Sequence, residues 1–227
     1  MTTFKNPDYQ MGIENTEAEQ YAWFWDGARC TGCKACQIAC QDYKQLPANM
    51  FFRQIYDYTG GSFTVNNDGT YTQNVYSYPI SMACNHCGNP ACLENCPAGA
   101  IFKDSHGFVA IDEEKCIGCG TCTQACPYHV PVLNEETKKS NKCNGCEERV
   151  LAGKSPICVE ACSMRALAFG PYDEIVDKYG DRLVDIAPMP DPKITAPACV
   201  IKPAPTAVKW DDTEGHVENL TEVPVEK

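Results

Sequence analysis

Sixteen of the seventeen cysteines in this 227-residue sequence fall into four blocks of four, and their spacing is that of a metal-cluster ligand set. The clearest block is Cys116-Ile-Gly-Cys119-Gly-Thr-Cys122-Thr-Gln-Ala-Cys126-Pro127, spaced C-x2-C-x2-C-x3-C-P. Three thiolates so close together wrap a loop around one corner of a cubane iron–sulfur cluster. The fourth, a helical turn further on, points toward a different cluster. Pro127 ends that turn, because it has no backbone N–H to donate. Block one (Cys30, Cys33, Cys36, Cys40) repeats the spacing, and block two (Cys84, Cys87, Cys92, Cys96) inserts two residues before its third cysteine. In block four (Cys143, Cys146, Cys158, Cys162) the second gap grows to eleven residues. Every block keeps an x2 first gap and an x3 last gap. Sixteen thiolates are the ligand count of four [4Fe–4S] clusters. A zinc-stapled interaction module is the remote alternative. A disulfide framework fits poorly, since Met1–Gln20 is polar and acidic, with neither an apolar signal core nor twin arginines.

Elements must bring these blocks together. Tyr21–Asp26 reads as an aromatic strand leading into block one, and Gln37–Lys44 as a short helix started by its loop. Phe51–Tyr58 and Thr70–Ile80, separated by Gly60-Gly61 and Asn66–Gly69, read as an inserted β-hairpin whose tyrosines pack within the strands. Ala100–Lys103 and Phe108–Asp112 flank Asp104-Ser105-His106-Gly107, a second hairpin joining blocks two and three. Two blocks so joined make a two-cluster unit with pseudo-twofold exchange of the last cysteine. Cys84, Cys87 and Cys92 then take Cys126, while Cys116, Cys119 and Cys122 take Cys96. By elimination blocks one and four form a second unit nested around the first. There Cys30, Cys33 and Cys36 take Cys162, and Cys143, Cys146 and Cys158 take Cys40. Gln41 and Ser163 stand where the inner blocks have Pro97 and Pro127, so the outer unit departs from the simpler motif.

The expected fold is therefore α+β: two nested bacterial-ferredoxin-like modules, short helices and β-hairpins, and an extended C-terminal tail. Its parts are an arm over 1–20, an outer module over 21–50 and 135–175, the inserted hairpin over 51–80, the inner module over 81–134, and a Pro-rich acidic tail over 176–227. The seven prolines from Pro171 to Pro205 disfavour long helices and central strands. Within that tail, apolar Ile194–Lys202 is expected to be ordered and its lone Cys199 to be a buried structural thiol. His86 and His129 read as packing or outer-sphere residues rather than iron ligands.

A formal charge of −11 argues against nucleic acid, and the stretch from Asp211 to Lys227 contributes −5 of it. Cluster filling adds negative charge, so backbone N–H groups and cations such as Lys34, Lys115, Lys142 or Arg165 are needed near sulfur. No stretch approaches the roughly 20 apolar residues of a membrane span. No Ser/His/Asp or Cys/His nucleophile arrangement, P-loop or dinucleotide fingerprint is present, so no catalytic residue is assigned.

Segments RCTGCKACQIACQDYK, QNVYSYPISMACNHCGNPAC, CPAGAIFKDSHGFVAID, EKCIGCGTCTQACPY, KCNGCEERVLAGKSPICVEAC and RALAFGPYDEI cover most of the chain. They resemble the four-cluster iron–sulfur subunits of anaerobic dimethyl sulfoxide reductases, a family that extends to polysulfide, tetrathionate and nitrate reductases and formate dehydrogenases. The resemblance implies an electron-transfer subunit between a molybdopterin-containing catalytic subunit and a membrane anchor that oxidises quinol, with the inner half nearer the membrane. It implies a place peripheral to the cytoplasmic membrane, on the outer face by co-export with a partner, or alternatively on the cytoplasmic face. In some relatives a cysteine of the third block is replaced and a [3Fe–4S] cluster results. Cys119 is present here, which implies a four-iron cluster.

Overall fold

Aromatic residues organise the first strand, β1 (Tyr21–Asp26), of which five of six positions are buried. The computed structural model describes residues 20–180 and 185–220. Helix α1 (Ala35–Tyr43) follows the first cysteine loop and buries Cys36, Gln37 and Cys40 on one face, as i, i+1, i+4 spacing dictates. The Gln37 side chain accepts a hydrogen bond from the Ile55 N–H at 2.9 Å and so docks this helix on β2 (Arg53–Gly60). Beyond Gly60 the chain makes a small hairpin of β3 (Phe63–Val65) and β4 (Tyr71–Gln73), then returns as β5 (Tyr76–Ala83). β2 and β5 pair antiparallel from Arg53↔Ala83 to Gly60↔Tyr76. Tyr56, Tyr58, Tyr78, Ile80 and Met82 bury there in the main core.

Block two carries α2 (Ala91–Glu94), and the hairpin of β6 (Ile101–Lys103) and β7 (Val109–Ile111) leads on to block three with α3 (Thr121–Ala125). The Asp104 carboxylate shapes the hairpin turn by accepting from His106 N–H and Phe108 N–H. A further hairpin, β8 (Val132–Asn134) with β9 (Lys139–Asn141), joins blocks three and four. Block four spans α4 (Glu147–Leu151) and α5 (Ile157–Glu160), after which come β10 (Leu167–Pro171) and α6 (Tyr172–Tyr179).

The C-terminal region is more structured than an extended tail. Pro171 caps α6, where a missing N–H costs nothing, and Phe24 stacks on Tyr179 of that helix at 3.7 Å. Further on, β11 (Cys199–Lys202) pairs parallel with β1, giving a sheet in the order β10-β1-β11. The prolines confine β11 to a short edge strand, as a residue without an N–H must. Val200 nonetheless buries with Ala22, Phe24, Ile175 and Ala198 in a second core. A last strand, β12 (His216–Val217), adds to β2. Asp212 holds this return in place, accepting from the Tyr58 and Tyr76 hydroxyls at 3.0 and 2.8 Å. The strand tyrosines therefore bind the C-terminal region itself. Most of the N-terminal arm and the end of the acidic tail lie outside the described residues.

Candidate metal centres

Each block opens with a C-x-x-C loop, and the residue before its second cysteine is left-handed in all four: Gly32 (φ 68), His86 (φ 42), Gly118 (φ 69) and Gly145 (φ 75). In blocks three and four that conformation turns a backbone N–H toward sulfur. Gly118 and Gly145 donate to Cys116 Sγ and Cys143 Sγ at 3.4 Å. Four residues past the last cysteine of blocks two and four, Ala100 N–H donates to Cys96 Sγ at 3.3 Å and Ala166 N–H to Cys162 Sγ at 3.2 Å. Such bonds aim the positive end of an N–H dipole at sulfur.

The loops converge into four sulfur-lined sites. Cys84, Cys87, Cys92 and Cys126 line one cavity, with Tyr128 and Lys142 in its wall. Cys30, Cys33, Cys36 and Cys162 line a second, and Cys96, Cys116, Cys119 and Cys122 a third. Where α1 packs on α5, Cys40 comes close to Cys158 and Cys146, and Cys143 close to Cys40 and Cys146. Each of the three cavities combines three cysteines of one block with the last of another. Neighbouring sets act on each other's charge through Cys36 and Cys158, Cys143 and Cys84, and Cys92 and Cys122. The sites therefore run in a row from the Cys30 set through the Cys143 and Cys84 sets to the Cys116 set. Among the sixteen block cysteines only Cys33 and Cys119 are exposed, one in each terminal set.

The inner and outer blocks are closed by matching hydrogen bonds. In the inner pair Asp112 N–H donates to Ala100 O at 2.8 Å and Cys116 N–H to Asp112 O at 3.0 Å. In the outer pair Asp26 N–H donates to Ala166 O at 2.8 Å and Cys30 N–H to Asp26 O at 3.0 Å. The carboxylates repeat too, Asp112 accepting from Glu114 N–H and Asp26 from Ala28 N–H at 3.0 Å.

Electrostatics tests whether these sites fit a cationic metal cluster. Burial, then the charge of Cys158, pushes the Cys40 thiol up to about 12. Burial and Cys84 push Cys92 up to about 12 as well. Cys143 is raised further by burial, Cys40 and Cys84. Thiols so raised cannot ionise together in a dry pocket unless a multivalent cationic core compensates them, so these buried donors fit iron–sulfur clusters. When bound, a [4Fe–4S] core takes up and releases one electron at a time.

Of the anticipated cations, Lys142 approaches sulfur, lying 3.6 Å from Cys84 Sγ while also donating to the Val109 and Cys143 carbonyls. Lys115 instead pairs with Asp112, and Arg165 bonds the Glu160 and Cys162 carbonyls. Lys34 lies in the wall of the Cys30 cavity. His86 is fully buried, stacked on Trp23 at 5.1 Å, and its Nδ1 accepts from Val109 N–H. Burial, with Lys142 and Lys103 nearby, holds it well below the usual imidazole range, so it is a neutral packing residue. His129 adopts φ 51 just after Pro127. Cys199 sits in β11 opposite Trp23, its thiol pushed by burial up to about 12.

The sequence reading missed Arg53. This buried arginine at the start of β2 donates to Ser81 O and Oγ at 3.2 and 2.9 Å, and Ser81 Oγ lies 3.6 Å from Cys36 Sγ. The available signal was a lone arginine beginning a strand of otherwise core-facing residues.

Left-handed C-x-x-C loops, N–H···S bonds and paired cysteine blocks together define a ferredoxin-type [4Fe–4S] protein. Residues 75–172 match the 4Fe-4S dicluster domain family, and residues 28–44 a 4Fe-4S binding domain. The sequence is 50% identical to the B subunit of anaerobic dimethyl sulfoxide reductase from Escherichia coli (strain K12), over 90% of this protein and 98% of that one. The Haemophilus influenzae subunit of the same name is 48% identical over 90% of this protein and all of its own length. The thiosulfate reductase electron transfer subunit PhsB of Salmonella typhi is 38% identical over 70% and 80% respectively. The chain belongs to the family of anaerobic dimethyl sulfoxide reductase B subunits.

Proposed function

We propose that this chain is the electron-transfer subunit of a molybdopterin-dependent anaerobic reductase, and that it holds four [4Fe–4S] clusters in two nested ferredoxin-like modules. The ligand sets are Cys30, Cys33, Cys36 and Cys162; Cys40, Cys143, Cys146 and Cys158; Cys84, Cys87, Cys92 and Cys126; and Cys96, Cys116, Cys119 and Cys122. The observation that carries this reading is the row of four sulfur sites exposed only at its ends, at Cys33 and Cys119. Such a row receives electrons at one end and delivers them at the other. The matching Asp26/Ala166 and Asp112/Ala100 closures support the nested modules.

The protein's own contribution is to fix the sulfurs and keep water from the middle sites, while N–H groups and buried cations set the potentials. Substrate chemistry belongs to a catalytic subunit of dimethyl sulfoxide reductase type. Among the described residues no helix is long and apolar enough to cross a membrane. The membrane connection we propose is an anchor subunit at the inner-module end, with the complex at the outer face of the cytoplasmic membrane. The likeness to a thiosulfate reductase subunit gives the second reading, the same row serving a different molybdenum enzyme.

The test is anaerobic purification of the complex. Expected are about sixteen irons per chain, brown colour bleached by dithionite, and a co-purifying molybdopterin subunit that reduces dimethyl sulfoxide. Stoichiometric zinc without iron would overturn the reading. Reduction of thiosulfate but not of dimethyl sulfoxide would favour the second.

A further inference from the structure

We infer that Arg53 and Lys142 are positioning residues that raise the reduction potentials of the clusters they separate. Arg53 does this between the Cys30 and Cys143 sites, and Lys142 between the Cys143 and Cys84 sites. The inference rests on the four ligand sets proposed above.

Both side chains lie inside the protein, with Arg53 5% and Lys142 6% exposed. Among the described residues neither has a carboxylate within ion-pair distance. A buried charge without a counter-ion is expensive, so something else must compensate it. The anions that face Arg53 are sulfurs. Burial opposes its charge, but Cys158, Cys36, Cys143 and Cys40 outweigh burial and favour the protonated guanidinium. One of these belongs to the Cys30 set and three to the Cys143 set. The Ser81 carbonyl and hydroxyl fix the guanidinium in that boundary. Lys142 occupies the next boundary, its ammonium clamped by the Val109 and Cys143 carbonyls and directed at Cys84 Sγ.

Each filled site carries net negative charge that grows on reduction. A fixed cation in a low-dielectric boundary therefore favours the reduced form on both sides. The Cys143 set alone is flanked by both cations. Counter-charge in the middle of the row keeps the Cys143 and Cys84 sites from becoming barriers, because there water cannot screen an added electron.

The experiment is an EPR-monitored redox titration of the complete complex, purified anaerobically, carrying Arg53→Gln, Lys142→Gln or Arg53→Lys. Each glutamine variant is expected to lower two of the four midpoint potentials, with one signal moved by both variants. Arg53→Lys retains the charge and is expected to leave the potentials near wild type. Fully loaded glutamine variants with unchanged potentials would overturn the inference. So would shifts in all four signals, or two pairs with no shared member. If Arg53→Gln fails to load iron, Arg53→Lys decides: full loading with unshifted potentials supports the role of charge, and lowered potentials or failed loading overturns it. Iron missing from the wild-type chain would instead defeat the ligand assignment itself.

Discussion

Between Cys96 and Cys116 lie nineteen residues, and the β6–β7 hairpin that joins the inner blocks lets α2 pack on α3. Between Cys40 and Cys143 lie 102, and the outer blocks meet where β1 pairs with β10 and α1 packs on α5. The local geometry is nevertheless the same, down to the Asp-to-Ala hydrogen bond of 2.8 Å in each pair. The difference in loop closure amounts to about 1.5 kcal/mol of entropy, since that cost grows only with the logarithm of length. A few buried side chains offset it, and the outer pair has them in β11 and α6, which cover β1 on its Ala22 and Phe24 face. A short link makes the inner pair local, whereas added structure makes the outer pair stable.

The largest effect should come from exchanging ligands across this comparison. If the last cysteine of each block serves its partner, Cys162→Ser strips iron from the Cys30 set and Cys126→Ser from the Cys84 set. Each loss should lie between about one and four irons, read by iron analysis and loss of a single EPR signal. Damage by Cys162→Ser to the signal that Cys146→Ser also removes would break the scheme.

Next in size is Val200→Asp, which puts a carboxylate into the second core where Val200 is 1% exposed. A destabilisation on the order of 3 kcal/mol is expected. Thermal iron release should begin in the outer sites while the inner signals persist. Simultaneous loss of all four would show that the two pairs do not separate.

A sharper comparison uses glycines at equivalent loop positions, Gly118 inside and Gly32 outside, both near φ +68. Alanine at either incurs the left-handed penalty of roughly 1–2 kcal/mol. At Gly118 an added Cβ would also sit 2.0 Å from the Lys138 carbonyl, against 3.2 Å from Pro79 Cβ at Gly32. Gly118→Ala should therefore lower the melting temperature by more than Gly32→Ala does; equal losses would show that Lys138 yields. Smallest is Lys202→Met, which removes the 3.0 Å ion pair from β11 to Asp26. It should cost about 1 kcal/mol or less by thermal melting.

Much of this was legible in the sequence, for stated physical reasons. Cysteine spacing gave the four blocks because a cluster-binding loop opens with two cysteines separated by only two residues. The YAWFWD strand and the turn at Asp104–Gly107 carry local signals of aromatic enrichment and Asx-turn chemistry. Most of what escaped was non-local. The pairing of Trp23 with Cys199 joins residues whose intervening chain says nothing about register. The β8–β9 hairpin, through Asn134–Lys138, has little apolar alternation to mark it. Arg53 looks like any strand-starting arginine until the fold brings Cys36 and Cys158 within reach of its charge.

The β1–β10 closure also has a consequence in time. With the ligand sets proposed above, a nascent polypeptide would hold every sulfur of the two inner sets once Cys126 has left the ribosome, but the site around Cys30 would stay one ligand short until Cys162 emerges. Cofactor insertion can therefore be completed from the inner module outward, and the last site to be finished includes the first three cysteines to be translated.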